Sequence, residues 1–159
     1  MSFPLTLLKE QTLKNRTDRK CGSCTACCTI IGVKELNKER WTKCVHEAGC
    51  CEIYEDRPQS CRSFHCMWLS GYIEGDERRR PDNLGIIFVQ SDNDKLPIVA
   101  CWECYSGAAE KNIFLLKQLA TKVIVYILPF GEPQKWKVLG PARYRDAIQD
   151  MLVKAMQMP

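Results

Sequence analysis

The sequence has no apolar run approaching the roughly 18 residues that a bilayer-spanning helix requires, so no membrane association is expected. Its opening, MSFPLTLLKEQTLKNRTDRK, holds only a brief apolar patch, and the positive charges follow that patch instead of preceding it. That order is wrong for a secretory signal and predicts a cytoplasmic protein. Histidine is scarce: His46 and His65 are the only two. None of the nine glycines belongs to a G-x-G-x-x-G, a P-loop or a G-x-S-x-G. A nucleotide or S-adenosylmethionine site of the Rossmann kind is therefore unsupported, as is a hydrolase nucleophile elbow. Asp82, Asp92 and Asp94 fall in predicted loops with no spacing that would pair carboxylates, and the C-x3-C-x2-C signature of radical enzymes is missing. No internal repeat or low-complexity segment is present.

Cysteine, by contrast, is abundant. Eleven occur in 159 residues, nine of them between Cys21 and Cys66, with Cys101 and Cys104 apart. In a reducing compartment such density signals metal binding or catalysis more often than disulfides. The odd number leaves one thiol over in an all-disulfide scheme, and the vicinal pairs Cys27–Cys28 and Cys50–Cys51 would each need outside partners. The formal charge of +4 counts every thiol as neutral. Eight thiolates around two divalent ions would take it to about zero. The basic balance is thus a poor argument for a nucleic-acid partner, and none is predicted. The local run ERRRPD (77–82) reads as a solvated loop.

Three stretches follow from texture. Residues 1–20 are a lysine- and arginine-rich arm. Residues 21–68 are the cysteine-rich segment, too poor in aliphatic side chains to build a core unaided, so that metal would supply folding free energy. Residues 69–159 read as the α+β part of the same single domain. There LGIIFVQ (84–90) and KLPIVACW (95–102) predict a hairpin around SDND. A helix is expected over 108–122, with Ile113, Leu116 and Ala120 at helical spacing and Phe114 and Leu115 widening the stripe. VIVYILPF stops at Pro129, KWKVLG alternates, and Gly140-Pro141 opens a last helix with Tyr144, Ile148, Met151, Leu152 and Ala155 on one face. The expected fold class is α+β: a cysteine-rich metal-binding segment packed against a small sheet with two helices.

A Cys-x-x-Cys turn lets two sulfurs converge on one ion while backbone N–H groups point at them. Here the unit is stacked as Cys21, Cys24 and Cys27, with Cys28 immediately after and small residues in the gaps. Cys44, Cys50, Cys51, Cys61 and Cys66 follow. Neighbouring cysteines tend to point apart, so Cys27 and Cys28 would serve different ions or different corners of a cluster.

The order CxxCxxCC, an isolated Cys44, then CEIYEDRPQSCRSFHC resembles the CxxCxxCC family of zinc- or iron-chelating proteins. That family includes the YkgJ-type cysteine-cluster proteins and is related to flagellin lysine N-methylases. The matching positions are Cys21, Cys24, Cys27, Cys28, Cys44, Cys51, Tyr54, Arg57, Pro58, Cys61, Arg62, Phe64 and Cys66. The resemblance covers residues 21–66 and implies that the eight cysteines among these are metal ligands. It leaves Cys50, Cys101 and Cys104 without a role.

Eight thiolates suit two four-thiolate zinc ions, and cysteines at x2 spacing equally suit an iron–sulfur cluster. Zinc is slightly preferred because no redox motif or electron-transfer partner is visible. A methylase-like enzymatic activity dependent on an iron–sulfur centre is the alternative that the family relation implies, and no catalytic residue can be named for it. His65, beside Cys66, reads as a neighbour of the ligands or an exposed side chain. Arg57 and Arg62 would either stabilise clustered thiolates or pair with Glu55 and Asp56. Tyr54 and Phe64 are expected to pack over the site. Cys101-Trp102-Glu103-Cys104 could complete the site, act as a dithiol or be inert core.

Overall fold

The computed structural model describes residues 19–73, 76–90 and 96–156. Residues 1–18 of the expected N-terminal arm (1–20), the SDND turn, and the side chains of Met151, Leu152 and Ala155 lie outside the described residues. The protein is α+β, with a four-stranded mixed sheet in the order β1-β2-β3-β4. The strands are β1 (Ile86–Gln90), β2 (Ile98–Glu103), β3 (Ile124–Leu128) and β4 (Lys137–Leu139). Their β-branched residues favour a pleated, half-buried surface. β1 and β2 pair antiparallel, with Phe88 opposite Cys101, as the hairpin reading requires. β2 and β3 pair parallel, and β3 and β4 antiparallel.

A parallel pair needs a crossover. Two short helices supply it, α4 (Ala108–Lys111) and α5 (Ile113–Ala120). The expected single helix is interrupted at Asn112, whose side-chain amide donates to Leu84 O at 3.0 Å and to Ala108 O at 2.9 Å. The crossover helices cover one sheet face, where Ile86, Phe88, Val99, Cys101, Val125 and Ile127 meet Ala108, Leu116 and Leu119. Phe114, expected in the buried stripe, is 82% exposed instead. The break at Asn112 leaves Leu116, Leu119 and Ala120 as the buried residues of α5.

The opposite face carries Ile87, Trp102 and Ile124, and the cysteine-rich segment lies against its β1–β2 side. Trp41 stacks on Trp102 with ring centroids 6.0 Å apart, and the Arg40 guanidinium lies over the Trp102 ring. Met67 N donates to Phe88 O at 2.8 Å, which hooks the end of the segment onto β1. The last helix, α6 (Arg145–Met156), follows a 3-10 turn at Ala142–Tyr144. It crosses near β3: a Cβ at Gly140 would stand 2.7 Å from Ile148 Cδ1, so the absence of a side chain there permits the approach.

The ERRRPD run is not a loop. It forms a 3-10 turn (Glu77–Arg79) and opens α3 (Pro81–Leu84), with proline at the first helical position. Arg80 is the reason for the difference. Its guanidinium reaches Asp82, Glu77 and Ser23 Oγ, and so ties α3 to the turn between Cys21 and Cys24. Among the described residues no helix is long and apolar enough to cross a membrane.

Candidate metal centre

The first knuckle is a tight turn closed by Cys24 N donating to Cys21 O at 2.9 Å, with Gly22 at φ +56. A left-handed residue is needed there, and glycine takes it without strain. The chain then enters α1 (Ala26–Ile30), which carries Cys27 and Cys28 side by side. Cys44 is brought back against this helix by its own N–H, which donates to Cys28 O at 3.0 Å. A bridge between Glu47 and Cys51 reverses the next loop. Cys61 sits on α2 (Gln59–Ser63), which begins after Pro58, and Cys66 lies just before the β1 contact.

These pieces enclose two adjoining recesses. The first, a cavity of about 50 Å³, is bordered by Cys28, Cys44 and Cys51 together with Cys21, Cys24, Cys27 and Cys61. The second, of about 40 Å³, is bordered by Cys66 and by Cys21, Cys24, Cys27 and Cys61. All eight cysteines singled out in the sequence therefore border one or both. Cys50 is exposed and Cys101 is buried in the sheet core. None of the eleven sulfurs is in a disulfide. The thiols face shared space without forming a finished shell: among the described residues no three His, Cys, Asp or Glu side chains are grouped tightly enough to hold an ion. Ligation would require the sulfurs to draw closer together.

Backbone donors are already aimed at several of the sulfurs. Leu69 N donates to Cys66 Sγ at 3.5 Å. The N–H groups of Ala26, Ile53 and Trp68 likewise favour the thiolates of Cys24, Cys51 and Cys66. Such N–H···S bonds lower the cost of a negative sulfur. Burial works against them. It pushes the Cys24 thiol up to about 11 and raises Cys51, Cys61 and Cys66 above the ordinary thiol range. Cys27 and Cys28 behave as a pair: a hydrogen bond between them brings Cys28 down to about 7 and drives Cys27 far up. A site of buried thiols with one easily ionised member suits a cation that displaces protons.

Two cations stand among the thiols. Lys38 borders the first recess, where its ammonium donates to Thr29 O and Ile31 O at the end of α1. Burial lowers its pKa, against the opposing charges of Cys44 and Cys28. Arg57 borders both recesses, donates to Tyr54 O at 2.7 Å and lies 3.7 Å over the Tyr54 ring. Among the described residues it has no ion pair with Glu55 or Asp56. Its positive charge acts on the thiols of Cys28 and Cys51. Arg62 instead braces the loop through Arg57 O and Glu55 O. Tyr54 borders the first recess and Phe64 the second.

Neither histidine borders a recess. His65 is exposed, with Nδ1 3.1 Å from Ser63 O. Two neighbours of the recesses were not legible in the sequence. Lys38 carried no motif. Trp68 borders the second recess with a buried indole N–H that has no partner among the described residues. Cys104 lies near Cys24, Asp82 and Cys66, whose charges add to burial in raising it to about 12. Its Cys-x-x-Cys partner Cys101 is walled off in the core. No family model, curated protein or solved structure matches this chain.

Proposed function

We propose that the protein is a cytoplasmic metal-binding protein that chelates zinc, or an iron–sulfur centre, through Cys21, Cys24, Cys27, Cys28, Cys44, Cys51, Cys61 and Cys66. One observation carries the reading. The eight cysteines that border the two recesses are the eight that the sequence pattern selects, and the other three stand outside. Soft thiolate donors select zinc or iron over hard cations. A bound metal would supply cross-linking free energy to a segment with almost no apolar core of its own. The chain's residues do the rest. The knuckle turns place the sulfurs, Lys38 and Arg57 offset their charge, and Tyr54 and Phe64 restrict water. The resemblance to the CxxCxxCC family points the same way.

The test is anaerobic purification followed by elemental analysis and an absorption spectrum on one sample. Colourless protein with about two zinc ions per chain is the expected result. Brown protein with iron and acid-labile sulfide would replace zinc with a cluster and leave the ligand set in place. Protein that purifies without metal, and takes up neither zinc nor iron when reconstituted, would end the proposal.

A further inference from the structure

We infer that the eight thiols form two separate four-thiolate sites for soft divalent ions: Cys28, Cys44, Cys51 and Cys61 hold one ion, and Cys21, Cys24, Cys27 and Cys66 hold the other. This deepens the metal-binding reading and rests on it.

The division begins on α1. Successive residues of an α-helix point about 100° apart, so Cys27 and Cys28 leave α1 in different directions, with their sulfurs still within hydrogen-bond reach of each other. The recesses repeat the split. Cys28, Cys44 and Cys51 border only the first, and Cys66 only the second. The backbone explains why: the Cys44–Cys28 hydrogen bond and the Glu47–Cys51 bridge gather three cysteines on one side of α1. The knuckle carries Cys21, Cys24 and Cys27 at the border of both recesses, and the Met67–Phe88 hydrogen bond anchors the chain next to Cys66, which borders only the second.

Cys21, Cys24, Cys27 and Cys61 border both recesses. The knuckle keeps Cys21, Cys24 and Cys27 together and Cys66 borders only the second recess, so Cys61 takes the fourth place beside Cys28, Cys44 and Cys51. Four sulfurs per set complete a closed tetrahedral shell of the structural zinc type. Arg57, at the wall common to both recesses, offsets charge on either side.

The experiment loads the full chain with cadmium-113 under reducing, anaerobic conditions. Wild-type protein should take up two ions, giving two cadmium resonances with no cadmium–cadmium coupling. Cys44→Ser and Cys66→Ser should each halve the uptake, the double variant should bind none, and Cys50→Ser should bind as wild type does. Mutual coupling between the two resonances would establish a thiolate-bridged cluster and overturn the division. A soluble single variant that loses both ions would do the same. If Cys104→Ser lost an ion while Cys66→Ser kept both, the second set would be wrong. The wild-type spectrum decides whether the two ions occupy separate sites even if the variants fail to fold. Wild-type protein that binds no cadmium would defeat the metal-binding reading itself, an outcome separate from each of the others.

Discussion

Glu103 is the residue on which the sheet half turns. It ends β2 on the core face, opposite Ile86, and is only 5% exposed. A carboxylate is costly to bury unless its oxygens are bonded. Here Oε1 accepts from Ala109 N at 2.7 Å and Oε2 from Phe130 N at 3.1 Å, so one side chain joins β2 to the start of α4 and to the segment leaving β3. Glu103→Ala would leave both N–H groups unpaired and should lower stability by about 3 kcal/mol, read from urea denaturation. Glu103→Gln keeps one acceptor and should cost less than half as much. Nothing around WEC in the sequence marked this residue, because its two partners are brought to it only by the crossover. Arg57 is a different case. The sequence left two roles open for it, and its placement over Tyr54 at the edge of both recesses favours the thiolates.

At the scale of elements, the strands were legible because β-branched residues cluster between turn signals, and a period of two survives without tertiary information. The helix over 108–122 was legible only in part. Its apolar pattern is continuous in sequence, but Asn112 spends its amide on Leu84 O, a partner that no local rule predicts. The break re-aims α5, so two stripe residues near its start, on either side of Leu115, meet opposite fates. Leu116 is fully buried, and Leu116→Ala should destabilise by about 2–5 kcal/mol. Phe114→Ser, two residues earlier and exposed, should stay within about 0.5 kcal/mol of wild type in the same thermal or urea melt. Equal losses at the two positions would contradict the placement of α5. The ERRRPD stretch was misjudged for a related reason: its charge pattern looks solvated, and only the fold brings Arg80 to Ser23 and the knuckle.

Across the whole molecule the two halves differ in what holds them. The sheet and its crossover helices share one apolar cluster that runs from Ile86 to Ile127. Residues 21–66 contain just two buried side chains, Ile30 and Val33, and otherwise rely on turns, capping carbonyls and the Trp41–Trp102 stack. Metal removal should therefore act locally. After chelation, amides in 21–66 should exchange hydrogen at least about tenfold faster, while those of Val99 and Val125 stay within about twofold of their rates in the metal-loaded protein. Uniform acceleration in β2 and β3 would mean that the metal, and not the aliphatic core, holds the sheet together.

Residue chemistry and local periodicity were enough to single out the cysteine-rich segment as a candidate site and to read the α+β texture and the positions of four strands. Those properties depend on side-chain type and on neighbours a few positions away. Tertiary structure alone decided which thiols share a recess, that Cys101 is sealed in the core while Cys104 lies near Cys24, and that Lys38 and Arg57 stand among the sulfurs. Each of these is a distance between residues remote in sequence, and such distances exist only once the segment has closed against the sheet.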